Sequence, residues 1–264
     1  MLKISHLFIY PIKSLGGIEL TSSVVEERGL QYDRRWMLID EQNRFITQRE
    51  HSQLALFRTA ISSDHLEVFH LSDPLNRILI PLQYDQHQRF DVTVWDDVCP
   101  AVAVSIEADQ WFSQRLHQSV RLVYMPENSR REIDPDYAFQ QEITSFSDGY
   151  PILLLGQASL DDLNTKLKDP IGMDRFRPNI VFTGGEAFCE DAMQSITIGD
   201  VKMMGVKNCA RCIMTTTDQQ TGERSSEPLA TLSTYRKRNN KIYFGQNVIP
   251  VSSGIIRVGD AILS

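Results

Sequence analysis

The stretch 208–222 reads NCARCIMTTTDQQTG and places two cysteines, Cys209 and Cys212, three positions apart. From 201 to 217 the charged residues are Lys202, Lys207 and Arg211, and none is acidic. The residues after the second cysteine, 213–217, are rich in β-branched side chains, which is typical of a strand. A thioredoxin-like redox pair opens a helix instead. The pattern therefore favours a β fold around the two thiols.

Short strand-like runs fill the first half of the chain. In 90–94, apolar Phe90, Val92 and Val94 alternate with polar residues, as in a strand with one buried face. Many short strands with few helices predict a barrel or a sandwich. The predicted strands are 2–10, 35–39, 66–71, 77–82, 90–95 and 101–106.

Three helices are predicted among these strands. Residues 107–117 place Trp111 and Phe112 on one helical face. Residues 159–167 carry a leucine stripe, and Ser159 is the predicted N-cap. A third helix is expected to start near Ser226, just before Pro228.

The composition changes between Pro126 and Tyr150, where the chain is polar and rich in turn residues. Such a segment predicts a long surface loop, and loops of this length are usually functional or mobile. We place a predicted subdomain boundary near residue 125.

The overall composition restricts the class of protein. The chain has 264 residues, 42% of them hydrophobic and 23% charged, and a net charge of −7. These values are ordinary for a globular protein, and the acidic balance argues against a sequence-independent nucleic-acid-binding protein. No apolar run approaches the roughly 18 residues of a membrane-spanning helix, and residues 1–14 lack signal-peptide features. We therefore expect a cytoplasmic protein with no nucleic-acid partner and no membrane partner.

The cysteine pair allows several interpretations. Structural zinc needs about four ligands, but Cys99 and Cys189 are single and distant in sequence. A purely structural alternative is that the two cysteines are small, buried side chains on a strand. The neighbouring basic residues instead favour a thiolate, which binds soft metals or attacks electrophiles. Spacing and charge predict a basic thiol site, with the buried pair as the alternative.

Several motifs together resemble one family. Residues 209–222 are similar to the cysteine motif of the MOSC domain, named for the C-terminal domain of molybdenum cofactor sulfurases. RFRPNIVFTGG at 175–185, IGDVKMM at 198–204 and FGQNVIPVSSGIIRVGD at 244–260 also resemble that family. Upstream, YPIKSLGG at 10–17 and GLQYDRRWMLID at 29–40 resemble the β-barrel domain that precedes MOSC in one branch. That branch includes the mitochondrial amidoxime-reducing component and its bacterial relatives.

The resemblance covers nearly the whole chain and implies its fold. We expect a mainly β protein with a few helices. An N-terminal β-barrel-like domain at 1–125 should pack on a MOSC β-barrel domain at 126–264.

The resemblance also implies a molybdenum cofactor, a pterin dithiolene with a phosphate tail that holds an oxo-molybdenum. Cys212 matches the cysteine that completes the coordination of the metal, and a soft thiolate suits such a centre. Cys209 has no implied role beyond that of a structural neighbour, with hydrogen bonding or shielding as alternatives. The positions that match cofactor contacts are Lys13, Ser14, Arg34, Ser147, Asp148, Arg177, Asn179, Ala210, Arg211 and Asn247.

Two of these arginines have competing neighbours. Arg35 competes with Arg34, because alternation along a strand would point only one of them inward. Arg175 competes with Arg177, and either guanidinium fork would suit a phosphate. Asp148 is, in addition, the residue we consider as a catalytic general acid.

The implied activity is that of a molybdenum-dependent oxidoreductase. It would reduce small N-hydroxylated compounds such as amidoximes, hydroxylamines and N-hydroxylated bases. No cysteine follows Cys212, so we expect no iron–sulfur cluster in this chain. Electrons are then expected from a separate electron-donor protein of the ferredoxin or flavoprotein-reductase type. A cofactor carrier without turnover, or a sulfur-transfer protein with a persulfide on Cys212 or Cys209, remain the alternatives.

Overall fold

A computed structural model describes residues 1–84 and 88–264 of the chain. Strands dominate these residues, and three α-helices accompany them. The helices are α1 (Ile106–Leu116), α2 (Gln157–Asn164) and α3 (Leu229–Tyr235). The strands of the first half are β1 (Leu2–Ile9), β2 (Ile18–Leu20), β3 (Ser22–Glu26), β4 (Gly29–Leu30), β5 (Trp36–Ile39), β6 (Phe57–Ile61), β7 (His65–His70), β8 (Asp73–Pro81), β9 (Arg89–Val94), β10 (Asp97–Ala103) and β11 (Arg121–Tyr124). Those of the second half are β12 (Arg131–Glu132), β13 (Ile143–Thr144), β14 (Ile152–Gly156), β15 (Ile180–Thr183), β16 (Ser195–Ile198), β17 (Val201–Ala210), β18 (Lys237–Arg238), β19 (Lys241–Pro250), β20 (Gly254–Arg257) and β21 (Ala261–Leu263).

Seven of these strands close into a β-barrel. They follow one another in the order β14, β15, β1, β21, β16, β17 and β19, and β19 pairs back with β14. Only a closed sheet of this kind removes free strand edges. Its interior is apolar and includes the buried side chains of Leu7, Ile198 and Val248. The first strand of the chain thus lies among strands of the second half.

The first half adds curled sheets around a core of its own. β5, β11, β10 and β9 form one sheet, and β6, β7 and β8 form another. Trp36, Phe57 and Phe112 are each at most 1% exposed in the core that these sheets share with α1. In β9 the predicted alternation is present, since Val92 and Val94 are buried and Asp91 is exposed. The predicted mainly β fold, with a barrel-like N-terminal part and a second barrel, is confirmed.

Most predicted strands lie where the alternation indicated, as β1, β5, β7, β8 and β9. The strand predicted at 101–106 is shifted towards the N-terminus, because β10 ends at Ala103. Ile106 begins α1 instead, since the Ser105 hydroxyl accepts a hydrogen bond from the Ala108 amide at 3.1 Å and caps the helix.

The helix predictions differ in accuracy. α1 agrees with the predicted 107–117, and α3 begins a few residues after Ser226. Ser159 as an N-cap was wrong, because α2 begins at Gln157 with Gly156 at the N-cap position. The buried Ser159 hydroxyl hydrogen-bonds the buried Glu190 carboxylate, with oxygen separations of 2.8 and 2.9 Å. A tertiary contact therefore uses the hydroxyl that the sequence pattern assigned to local capping.

The strand-like character predicted for 213–217 was also wrong. β17 ends at Ala210, and Ile213–Thr216 form a short 3-10 helix. The Thr215 hydroxyl donates to the Cys212 carbonyl at 3.0 Å, and the Thr216 hydroxyl donates to that of Ile213 at 2.7 Å. These local bonds stabilise a turn where β-branched residues would otherwise favour a strand.

The surface loop predicted at 126–150 is in part a buried segment. It contains β12 and β13, and Phe146 is fully buried. The buried Arg131 guanidinium donates to the carbonyls of Ser145 and Ser147 at 2.9 and 2.6 Å. This arginine fixes the backbone that leads to Asp148.

Candidate functional site

A cavity of about 350 Å³ is lined by residues from both halves of the chain. The turn after β1, the segments flanking β5, the loop before β14 and the ends of β17 and β19 all contribute to its wall. Every predicted site residue lies on this wall, and their roles remain predictions. They are Lys13, Ser14, Arg34, Ser147, Asp148, Arg177, Asn179, Ala210, Arg211, Cys212 and Asn247.

Cys212 lies where β17 has ended and the 3-10 turn begins. Its backbone is extended, with φ of −119° and ψ of −179°, and its carbonyl accepts from the Thr215 amide at 3.2 Å. The side chain is half-buried on the cavity wall, so the thiol is not enclosed in aliphatic packing. The Nε atom of Arg49 donates to its Sγ across 3.4 Å. A sulfur in this position can accept a hydrogen bond and still face a ligand.

Cys209 lines the same cavity but has a different partner. The Nη1 atom of Arg211 lies 2.9 Å from its Sγ, and Nη2 donates to the Phe176 carbonyl at 2.6 Å. The Nε atom of Arg211 is buried and has no hydrogen-bond partner among the described residues. Arg211 is therefore held beside the thiol pair with one donor left over.

Arg177 is the most unusual charge in the cavity. Its residue is 8% exposed, and within the described residues its guanidinium makes neither a hydrogen bond nor a salt bridge. It lies over the Tyr10 ring with 4.1 Å from Cζ to the centroid, and Arg34 lies over the same ring at 4.3 Å. Burial, and then the charge of Arg34, lowers the pKa of Arg177 to about 10. A buried cation without a salt bridge is costly, and the charges of Asp33 and Asp148 offset only part of the burial, so an anion in the cavity would be stabilised beside Arg177.

The structure distinguishes the competing arginines. Arg34 lines the cavity, whereas Arg35 is buried elsewhere and donates to Met125 and Glu127. Strand alternation is not the cause, because Arg34 lies in a turn before β5 with φ of 49°. Arg175 and Arg177 both line the cavity, and Arg175 is already bonded to the Thr215 carbonyl at 2.9 Å.

Left-handed backbone occurs at three predicted site residues. Ser14, Arg34 and Arg177 have φ values of 70°, 49° and 55°. Such a conformation costs a residue other than glycine about 1 kcal/mol or more, and it clusters at functional sites. At Arg34 and Arg177 this strained backbone accompanies two guanidinium groups that line the same cavity.

Lys13 and Asp148 form an ion pair within the wall. The Lys13 Nζ atom is 2.7 Å from the Asp148 carboxylate and 2.7 Å from the Phe146 carbonyl. Burial lowers the pKa of Lys13 to about 8, although the Asp148 charge opposes the shift. For Asp148, burial acts to raise the pKa, but Lys13 and the Arg49 charge outweigh it and hold the pKa well below its usual value. The Asp148 side chain is 56% accessible because it faces the open cavity, so its partners, rather than packing, keep it ionised.

The remaining predicted contact residues differ in whether their hydrogen-bonding groups are already bonded within the protein. The Asn179 amide is occupied, because its oxygen accepts from Arg34 and from the Leu153 amide, both at 3.1 Å, and its nitrogen donates to the Phe8 carbonyl. It therefore positions Arg34. Ser147 is buried, with its hydroxyl 3.0 Å from that of Ser145. Asn247 on β19 reaches the wall through its pairing with Leu153.

Several wall residues were missed by sequence reasoning. Arg49 is the most important, since it contacts Cys212 and lies 3.5 Å from Asp148. Its local sequence, FITQRE at 45–50, carries no motif, and only the tertiary fold brings it to the thiol. The others include Tyr150, Leu153, Phe176, Met214, Lys241 and Tyr243.

No group of three or more His, Cys, Asp and Glu side chains gathers as a metal-binding site within residues 1–84 and 88–264. A metal at Cys212 would thus need most of its ligands from a cofactor. Across the same residues, none of the helices combines the length and apolar character needed to span a bilayer.

Comparison with known proteins relates this arrangement to a family. The model of the MOSC N-terminal beta barrel domain matches residues 1–119, and that of the MOSC domain matches residues 141–263. The chain is 32% identical over 286 residues to Mitochondrial amidoxime-reducing component 1 of Mus musculus, covering 98% of this chain and 81% of that protein. It is also 32% identical over 281 residues to Mitochondrial amidoxime reducing component 2 of Rattus norvegicus, covering 98% and 82%. For Mitochondrial amidoxime-reducing component 1 of Homo sapiens, the identity is 32% over 286 residues, covering 98% and 82%. The resemblance seen in the sequence motifs is confirmed.

Proposed function

Because the chain belongs to the MOSC-domain proteins that carry a MOSC N-terminal β-barrel domain, we propose that it is a molybdenum-cofactor-dependent reductase of N-hydroxylated compounds. Amidoximes, hydroxylamines and N-hydroxylated bases are the proposed substrate class. The names of the similar proteins describe amidoxime reduction, and the cavity described above supports extending that activity to this chain.

The residues of the cavity fit an anionic, sulfur-rich cofactor. Eight of the described lining residues are Lys or Arg, and Asp148 is the one acidic residue among them. Arg177 would bind a phosphate tail, for which a guanidinium fork is well suited. Arg34, already paired with Asp33 and bonded to Asn179, would lie beside it. Arg211 brings an unpartnered Nε atom to the same wall. The buried and unpaired Arg177 is the single observation that carries this assignment.

Cys212 would hold the metal through its thiolate. A soft sulfur ligand suits a high-valent molybdenum centre, and the Arg49 hydrogen bond fixes the direction of the sulfur. When bound, the cofactor supplies the two-electron chemistry that removes oxygen from an N-hydroxyl group. The protein supplies the ligand, the anion pocket and the orientation of the substrate.

The proton in this site is held by Lys13 rather than by Asp148. The ion pair keeps Asp148 ionised, so the carboxyl predicted as a general acid is a poor proton donor near neutral pH. Burial lowers the pKa of Lys13 to about 8, which suits a group that would return a proton during turnover. We assign Asp148 the role of orienting Lys13 and Arg49.

A separate electron-donor protein would reset the site after each turnover. That this chain holds no iron–sulfur cluster stays a prediction; of its four free cysteines, Cys209 and Cys212 line the same cavity. The location of the chain in a cytoplasmic compartment stays a prediction.

The decisive experiment compares wild type, Cys212→Ser and Cys209→Ser. Molybdenum content is measured in each purified protein, together with reduction of benzamidoxime by dithionite-reduced methyl viologen. We expect Cys212→Ser to lose turnover and to change or lose its molybdenum, and Cys209→Ser to be milder. Unchanged metal content and turnover in Cys212→Ser would reject the assignment.

The same proteins separate the two alternative functions. Tightly bound cofactor without turnover of any N-hydroxylated compound would indicate a carrier. A mass increase of one sulfur atom on Cys212 or Cys209, without molybdenum, would indicate sulfur transfer through a persulfide.

A further inference from the structure

A second cavity, of about 370 Å³, lies beside the cofactor cavity. The two share part of their walls, so a molecule in one would be next to a molecule in the other. The shared residues are Asp148, Gly149, Tyr150 and Lys207. The second cavity is large enough for a small organic compound, and the proposed function does not use it.

The second cavity has the opposite charge balance to the first. Its described lining has five acidic residues against two basic ones, Arg131 and Lys207. Both basic groups are already paired, with 2.8 Å between Arg131 and Asp97 and 3.4 Å between Lys207 and Asp134. Asp96 and Glu132 are exposed, and neither forms a salt bridge within the part of the chain that the structure describes. An anion is thus favoured on one side of the shared wall and a cation on the other.

An indole ring forms a flat wall of the second cavity. Trp95 is 39% exposed, whereas Trp36 and Trp111 are 0% and 9% exposed. The ring is held edge-on by Phe45 at 4.7 Å between centroids, and its backbone φ of 59° is left-handed. The left-handed φ is that of the two-residue turn, Trp95 and Asp96, which joins β9 to β10, and this turn leaves the indole partly exposed at the cavity.

Arg49 connects this wall to the thiol. Its Cζ atom lies 4.0 Å from the Trp95 ring centroid, and its Nε atom lies 3.4 Å from the Cys212 sulfur. A compound on the other face of the indole would be separated from the Cys212 sulfur by Trp95 and Arg49, and Asp148, which lies 3.5 Å from Arg49, lines both cavities. The second cavity adjoins the reacting end of the site rather than the phosphate end.

We propose that this second cavity binds the organic part of the substrate and prefers flat, cationic N-hydroxy compounds. The inference rests on the proposed function, because it names the substrate class of the same site. Arg49 covers one face of the Trp95 indole, so a planar cation would stack on the other face. The carboxylates of Asp96 and Glu132, which form no salt bridge among the described residues, would attract it. An anionic substrate of the same shape meets those carboxylates without a counter-charge.

The test uses three benzamidoximes of matched shape. One carries a para-aminomethyl group, which is cationic, one a para-carboxylate, and one no substituent. With the molybdenum-loaded protein and reduced methyl viologen, we expect kcat/KM for the cationic compound to exceed that for the anionic one by about tenfold or more. The double variant Asp96→Asn/Glu132→Gln should bring that ratio close to one. Asp200→Asn, an exposed acid outside both cavity linings, is the matched control and should preserve the ratio.

A binding measurement gives a second readout that does not need turnover. The probe is para-aminomethylbenzamidine, the amidine that corresponds to the cationic substrate. We expect saturable quenching of tryptophan fluorescence in the wild-type protein and its loss in Trp95→Phe, where the two buried tryptophans remain. The Asp96→Asn/Glu132→Gln variant should weaken the binding by about tenfold.

The outcomes separate this inference from the proposed function. Equal kcat/KM for the cationic and anionic compounds, or a ratio that survives in the double variant, would overturn the substrate preference while leaving the reductase intact. Absence of turnover for all three compounds would count against the reductase. In that case the fluorescence titration still tests whether the second cavity binds a flat cation. Unchanged quenching in Trp95→Phe would reject binding at Trp95.

Discussion

Arg49 and Cys212, which are 163 positions apart in the chain, meet through a hydrogen bond of 3.4 Å between Nε and Sγ. Gln48, next to Arg49, is hydrogen-bonded to the segment that follows Cys212. The Gln48 and Gln219 amides are bonded to each other, and Arg224 donates to the Gln48 carbonyl. The cysteine motif belongs to the second half of the chain, but the first half sets the position of the thiol.

Replacing Arg49 by Met should slow turnover without emptying the site. A hydrogen bond to a charged group is worth about 1.5–3 kcal/mol, so we expect kcat for benzamidoxime to fall by about tenfold or more. Molybdenum content, measured by elemental analysis, should stay close to that of wild type because Cys212 is still present. Arg44→Met is the matched control, since Arg44 is an exposed arginine of the same connecting segment and lies outside the cavity lining. Equal kcat in both variants would show that the sulfur does not depend on Arg49.

Replacing Arg177 by Met should separate stability from ligand binding. Arg177 is buried and forms no salt bridge among the described residues, and burial outweighs the attraction of Asp33 and Asp148. Its removal should therefore leave the free energy of unfolding of cofactor-free protein unchanged or raised. The same change should lower the molybdenum content of the protein purified from cells by tenfold or more. Chemical unfolding and elemental analysis measure the two effects, with the exposed Arg257→Met as control. A variant that is destabilised by several kcal/mol and still loads normally would make Arg177 a structural residue.

The sequence predicted those parts of the fold that depend on neighbouring residues. Alternation located β9, and the helical spacing of Trp111 and Phe112 located α1 to within a residue or two. Local sequence patterns could not predict that β1 pairs with β15 and β21, because such pairing depends on residues more than 170 positions away. Local patterns predicted a barrel or a sandwich, and only the family resemblance decided in favour of a barrel.

The candidate site also combines residues that a local motif identifies with residues that only the fold brings together. Cys212 and Arg177 were found through motifs, whereas Arg49 has no local signal and depends on the fold alone. Ser159 and the stretch 213–217 were assigned wrongly because buried Glu190 and two threonine hydroxyls compete with local propensity. The left-handed φ values at Ser14 and Arg34 could not be predicted, because the residue types that favour this conformation are glycine and asparagine.

The burial of Lys13 should give the stability of the protein a pH dependence in the alkaline range. The pKa of Lys13 is about 8 in the folded protein and 10.5 ordinarily, so between these values the unfolded chain binds a proton that the folded one does not. The contribution of Lys13 to the free energy of unfolding therefore increases as pH rises from about 8 towards 10.5. We expect the stability difference between wild type and Lys13→Met, measured by urea unfolding from pH 7 to 10, to move in favour of wild type over this range.

A flat difference between wild type and Lys13→Met would contradict the low pKa of Lys13. Lys202→Met serves as the control, since Lys202 is exposed and lies outside both cavity linings. Its difference from wild type should not change between pH 7 and pH 9.

Gly205 should be intolerant of even one additional methyl group. It lies on β17 where the register with β19 shifts, and a Cβ atom there would be 1.9 Å from the Met193 carbonyl oxygen and 2.9 Å from the Gln246 side-chain nitrogen. Because the nearer obstacle is backbone, β17 would have to move, and we expect Gly205→Ala to lower the free energy of unfolding by about 2–3 kcal/mol. Gly149→Ala is the control for stability alone, since a Cβ atom at Gly149 has nothing within 4 Å but the residue lines both cavities. As β17 also carries Cys209 and leads to Cys212, the displaced strand should reduce molybdenum loading together with stability. Full stability in Gly205→Ala by urea unfolding would mean that β17 can shift without cost, and the thiol pair would then not be rigidly placed by that strand.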